Sequence, residues 1–136
     1  MNDEVLTRIH AEVGGDEPFV RLVDAFYTGI ENEPLIRPMY PQDMTKAREH
    51  LALFLIQRFG GHQQYSESRG HPKLRMRHVP FVIGTPERDA WLRHMKAAID
   101  AVPEFHPYRE ALEDYFLQSA NFLLNNDQPP IQIPPQ

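Results

Sequence analysis

Apolar residues return at helical spacing in separate blocks along the chain, and Gly or Pro stands at most block boundaries. Val5, Leu6, Ile9 and Val13 share one face of a short helix that Gly14-Gly15 closes, and Asp16 is placed to cap the next helix. Phe19, Leu22, Val23, Phe26 and Ile30 then recur at i, i+3, i+4, i+7 and i+11, the stripe of a long helix with one buried face; Tyr27 flanks it. Pro34, Pro38 and Pro41 confine residues 35–41 to a tight corner that holds Tyr40. With Asp43 or Thr45 as cap, Ala47, Leu51, Phe54 and Leu55 predict a second buried helix, which Gly60-Gly61 ends. Thr85-Pro86-Glu87 opens a third: a hydroxyl cap, a proline in the first turn, then an acid facing the positive dipole end. Its stripe is Leu92, Met95, Ile99 and Val102, with Trp91 at the margin, and Leu112, Tyr115, Phe116, Ala120 and Leu123 give the last helix. No stretch alternates as a strand does, so the expectation is an all-α domain of four substantial helices and some short ones.

Two regions stand outside this pattern. The tail from Asp127 to Gln136 carries four prolines and no periodicity, which predicts a folded domain over 1–126 and a disordered or polyproline-like end over 127–136. The other is the long segment from Gly60 to Pro86. A loop of that length inside a compact domain is usually functional, and here a flat apolar partner would give it something to pack on. It contains His71-Pro72-Lys73-Leu74-Arg75-Met76-Arg77-His78-Val79-Pro80-Phe81. His78, a turn after Leu74 and just before Pro80-Phe81, can offer a neutral imidazole nitrogen to a metal from an apolar wall. Read alone, the same histidine would be an ordinary solvated residue in a basic run.

Composition narrows the field. The 136 residues suffice for one core without staples, and 41% hydrophobic content is that of a globular protein. With no cysteine, disulfides, thiolate zinc sites, iron–sulfur clusters and thiol nucleophiles are excluded, so a metal must be held by His, carboxylate, Tyr or Met. A formal charge of −5 argues against a nucleic-acid partner. The run Lys73, Arg75, Arg77 suits a small anion instead. Neither an export signal nor an apolar stretch approaching ~20 residues is visible, and the expected location is cytoplasmic, with no membrane span.

The order of Val13-Gly14-Gly15, Phe26-Tyr27, Met39-Tyr40-Pro41, Phe59-Gly60-Gly61, Tyr65-Ser66-Glu67, Arg69-Gly70-His71-Pro72, Leu74-Arg75-Met76-Arg77-His78 and Glu87-Arg88-Asp89-Ala90-Trp91-Leu92 resembles the truncated haemoglobins of the second group. The likeness runs from about Val13 to Leu123. It implies a globin shortened to a two-over-two helical sandwich around haem b, iron protoporphyrin IX, with oxygen and other diatomic gases such as CO and NO as ligands.

Matched motif by motif, the resemblance implies His78 as proximal iron ligand and Tyr27, Tyr40 and Trp91 as distal polar residues. Phe26, Ala47, Leu51, Phe54, Leu74 and Phe81 would line the haem pocket. Ala47 falls at or within one residue of the position where many globins carry a distal histidine, so ligand stabilisation falls to the phenols and the indole. Each is a hydrogen-bond donor set in an apolar ring, suited to a ligand that acquires partial negative charge. Taken singly, Tyr27 and Trp91 read as core-edge aromatics and Tyr40 as a turn residue. Arg75, with His71 and Arg77 beside it, is the expected propionate partner, whereas His10, His62, His94 and His106 read as solvated. Reversible oxygen binding leads. Nitric-oxide dioxygenation or peroxidase chemistry would use the same site with an external reductase, which leaves open whether the protein is an enzyme, and a homodimer is also left open.

Overall fold

The four long stripes fold as the spacing predicts. The computed structural model describes residues 3–70, 78 and 81–125, and every regular element among them is helical. Leu74, Arg75, His71, Arg77 and the tail over 127–136 lie outside the described residues.

The elements are α1 (Asp3–Leu6), α2 (Ile9–Glu12), α3 (Glu17–Ile30), α4 (Thr45–Arg58), α5 (Gln64–Arg69), α6 (Thr85–Ala101) and α7 (Arg109–Phe122). Short 3-10 turns at Arg37–Met39 and Pro103–Tyr108 make the corners before α4 and α7. α3 packs against α4, α6 against α7, and α3 crosses onto α6, its most extensive partner. This is the two-over-two arrangement of helix pairs.

Several local details differ from the sequence reading. The first helix is two pieces, broken at Thr7-Arg8. Asp16 makes no side-chain cap on α3; its carboxylate accepts from His10 Nε2 at 2.7 Å and from His62 Nε2 at 3.1 Å, which outcompetes capping. In the expected loop after Gly60, Gln64–Arg69 is helical, with Tyr65 buried against Phe54 at 5.4 Å between ring centroids. The other two starts keep an acid at the helix N-terminus but shift the cap, to Met44 before α4 in place of Asp43 or Thr45, and to Gly84 before α6 in place of Thr85. Asp43 accepts the Thr45 N–H at 2.9 Å ahead of α4, and Glu87 accepts the Gly84 N–H at 2.8 Å ahead of α6.

Under the α1–α2 break lies a dry aromatic core. Phe19 stacks on Phe59 at 5.9 Å and meets Phe105 edge-on at 5.1 Å, and all three are fully buried. Burial of each ring contributes about 1.5–3 kcal/mol and each pair a further ~0.5–1.5 kcal/mol. Gly60 lets the chain pass this core. Its φ is +98°, and a Cβ there would collide with the Thr7 carbonyl oxygen, so no other residue fits without displacing backbone.

Candidate functional site

α4 has two working faces. Ala52, Leu55 and Ile56 are buried, whereas Leu51 and Phe54 are only half-buried because part of their surface faces a cleft. That cleft holds about 1090 Å³ of empty space, its mouth included. Tyr27 reaches it from α3; Ile36, Met39 and Tyr40 from the corner; His78, Phe81 and Ile83 from the segment before α6; Trp91 from α6. Glu87 and Arg88 at the start of α6, with Tyr115, Phe116, Ser119, Ala120 and Leu123 along and just beyond α7, complete the wall.

The polar aromatics of this wall are organised by ring contacts. Tyr27 and Tyr40 meet edge-on at 5.5 Å, and Phe26, fully buried, packs on Tyr27 at 5.2 Å and on Trp91 at 5.1 Å. Burial, reinforced by the neighbouring Tyr40 phenol and opposed by Arg48, pushes the Tyr27 hydroxyl far above its ordinary titration range. Burial also raises Tyr40, an effect reduced by hydrogen bonds that its oxygen accepts from Trp91 and Tyr27. Both phenols therefore remain protonated at neutral pH.

His78 enters from a segment with its own fastening. Its carbonyl accepts the Phe81 N–H at 3.0 Å and the Asn125 side-chain amide at 3.3 Å, and its ring meets Phe81 edge-on at 6.4 Å. Asn125 Nδ2 also donates to the Phe81 carbonyl at 2.8 Å, while its Oδ1 accepts the Ile83 N–H at 2.8 Å. Its backbone N–H returns to the Ile83 carbonyl at 2.9 Å. In sequence, Asn125-Asn126-Asp127 reads only as the stop of the last helix. Nothing in a lone asparagine after α7 distinguishes that role from a strap across the segment carrying His78.

Of the expected site residues, His78, Tyr27, Tyr40, Trp91, Leu51, Phe54 and Phe81 line one cleft. Phe26 stands behind it, supporting Trp91 and Tyr27, and Ala47, half-buried on α4, is not part of the wall. The four histidines read as solvated are all engaged. His10 and His62 bond Asp16, His94 Nε2 lies 2.8 Å from Glu33 Oε1, and His106 Nε2 faces the Ile99 and Asp100 carbonyls at 3.1 and 3.2 Å. A histidine beside an acid or an unpaired helix-end carbonyl finds a partner that single-residue reading does not reveal.

One imidazole cannot hold a bare metal ion, and among the described residues no group of three or more His, Asp or Glu converges to do so. An iron carried by His78 must bring its remaining ligands with it. A flat macrocycle does this, and its apolar faces match the Leu51, Phe54, Phe81 and Leu123 wall. Paired helices crossing over such a cleft define a globin of the shortened, two-over-two kind.

The chain belongs to the bacterial-like globin family, whose model matches residues 8–123. It is 38% identical over 117 residues to "Group 2 truncated hemoglobin YjbI" of Bacillus subtilis, covering 86% of this chain and 89% of that one. Among solved structures, it is similar to the hemoglobin of Chloroflexus aurantiacus, with TM-score 0.84 and 47% identity over 87% of this chain and 98% of that one. The group II truncated hemoglobin of Bacillus anthracis has TM-score 0.84 and 32% identity, over 88% and 98% of the two chains. Membership implies a haem cofactor and diatomic gas ligands. Among the described residues no helix is long and apolar enough to cross a membrane.

Proposed function

We propose that the protein binds oxygen reversibly at a haem b held by His78, with Tyr27, Tyr40 and Trp91 acting together on the bound ligand. The reading rests on one observation: His78 and these three polar aromatics line the same cleft, whose wall is mostly apolar, with Glu87, Arg88 and Ser119 as its other polar residues. Haem supplies an iron that takes a diatomic ligand and draws charge onto it. The residues do the rest. His78 offers an imidazole nitrogen. Tyr40 and Trp91 present O–H and N–H donors, and Tyr27, buried and protonated, directs its hydroxyl toward Tyr40. A donor near a negatively polarised ligand stabilises it more than it stabilises carbon monoxide, which carries little charge. Leu51, Phe54 and Phe81 exclude water and so strengthen that interaction. Arg75 is assigned to a haem propionate by charge and by its place three residues before His78, with His71 and Arg77 as its neighbours in that role; all three lie outside the described residues.

The deciding experiment is the visible spectrum of the purified protein, ferric and ferrous, with and without carbon monoxide, followed by oxygen association and dissociation. A haem spectrum with reversible oxygen binding is expected. Absence of haem from protein made with ample haem supply, or irreversible oxidation in place of an oxygenated form, would reject the reading.

A further inference from the structure

Glu33 is the one buried charged residue among those described, 6% exposed at the turn after α3. Its carboxylate divides its bonds between elements. Oε1 accepts from Arg93 Nη2 at 2.7 Å and lies 2.8 Å from His94 Nε2, both on α6. Oε2 accepts the Leu35 N–H at 3.2 Å, in the corner that leads to Ile36, Met39 and Tyr40. The Glu33 backbone holds both neighbours as well, donating to the Ile30 carbonyl at 3.0 Å and accepting the Arg37 N–H at 2.8 Å.

The three elements joined at this carboxylate are the three that carry the polar groups of the cleft: α3 with Tyr27, the corner with Tyr40, α6 with Trp91. The joint is also a close approach of α3 and α6. A Cβ on Gly29 would collide with His94 Nδ1, so the imidazole lies directly on α3 two residues beyond Tyr27 and one turn beyond Trp91 on α6. Burying a carboxylate is costly unless each oxygen is paired, and a fold gains nothing from doing so that an apolar contact would not supply. What the charge adds is geometry, because two directed donors on one side and a backbone amide on the other fix the elements in register.

We propose that Glu33, through His94, is the positioning residue for the polar triad, setting the spacing of Tyr27, Tyr40 and Trp91 from outside the cleft. This rests on the reading of those residues given above. It concerns side chains that touch neither ligand nor cofactor, and Arg93, 61% exposed, serves as the outer partner of the pair.

Trp91 is the only tryptophan in the chain, so its indole N–H can be observed without ambiguity in the intact haem protein. The test measures the ultraviolet resonance Raman band of that N–H and the C–O stretch of the carbon monoxide complex. The proteins compared are Glu33→Gln, His94→Leu, His94→Gln and Trp91→Phe. Glu33→Gln and His94→Leu are expected to shift the indole band, to move the C–O stretch toward its Trp91→Phe position, and to quicken oxygen dissociation about two- to tenfold. His94→Gln, which keeps a donor, should restore most of both signals. Unchanged spectra in Glu33→Gln and His94→Leu, with a C–O stretch that does respond to Trp91→Phe, would overturn the positioning role and leave the triad intact. A stretch that ignores Trp91→Phe would overturn the reading of the cleft, and this proposal with it. If Glu33→Gln does not fold, the two His94 variants decide alone: a shift in Leu reversed in Gln supports the assignment, and identical spectra reject it.

Discussion

Two aromatic clusters lie side by side in this protein, and they do opposite things with the same kind of side chain. Around Phe19, the rings of Phe59 and Phe105 close on one another with no polar atom among them. Around Phe26, the rings belong to Tyr27 and Trp91, with Tyr40 beyond, and the cluster stops at an open wall. Phe116 touches both, at 6.3 Å from Phe59 and 5.7 Å from Trp91. The first cluster contributes stability, because every contact is satisfied within the protein. The second gives some of that up, since its phenols and indole face a cleft instead of closed packing.

The largest effect should fall on the cleft alone. His78→Ala should abolish or grossly alter haem binding, read from the visible spectrum of the purified variant; an unchanged five- or six-coordinate spectrum would dismiss His78 as the ligand. The next largest should fall on the dry cluster alone. Phe19→Ala removes a fully buried ring and should lower unfolding free energy by about 3–5 kcal/mol in denaturant titration. Tyr27→Phe keeps its ring and loses one hydroxyl, for about 1 kcal/mol or less. If the two substitutions cost the same, the division between a stabilising cluster and a ligand-facing cluster is wrong.

The dry cluster is only partly legible in sequence. Phe19 falls on the helical repeat of α3, which states its buried face without reference to anything distant, but its partners Phe59 and Phe105 come from the end of α4 and from the turn before α7. The cleft was legible in residue types and chain order, through His78, Tyr40 and Trp91. It was not legible in its supports. Glu33 looks like one more acid after a helix, His94 like one more surface imidazole, and they become a pair only because α3 crosses α6 at Gly29. Asn125 meets His78, Phe81 and Ile83 across more than forty positions of chain. Such contacts depend on the tertiary crossing angle, which no local pattern encodes.

A smaller effect separates the two clusters kinetically. Trp91→Phe preserves the packing against Phe26 and Phe116 and removes only the donor, so stability should change little. At about 1.5–3 kcal/mol for a hydrogen bond to a charged acceptor, oxygen dissociation should quicken roughly ten- to a hundredfold, and carbon monoxide dissociation should respond less. Equal acceleration of both ligands would make Trp91 a packing residue like those around Phe19. Tyr40→Phe added to Trp91→Phe should then do less than the product of the single effects, because groups in one network substitute for each other.

The smallest expected effect lies at the outer edge of the dry cluster, where His10 stacks on Phe19 at 5.8 Å and bonds Asp16. The hydrogen bond from His10, opposed by desolvation and helped by His62, holds the Asp16 carboxyl below its ordinary value of 3.8. A carboxylate depressed in the fold contributes stability that is fully present above its unfolded value. That contribution is lost as pH falls through the folded value, since protonation then removes the charged acceptor to which the histidines donate. Asp16 is half exposed, at 51% of its side-chain surface, so solvent screening keeps the contribution to about 0–1 kcal/mol. The measurement is the unfolding free energy of Asp16→Asn against the parent from pH 7 downward. The gap should be constant above about pH 4 and close below it. A gap that instead widens toward low pH would reverse the sign and place the favourable charge on the histidines' side, and the Phe19 cluster would then end in a cationic edge rather than an ion-paired one.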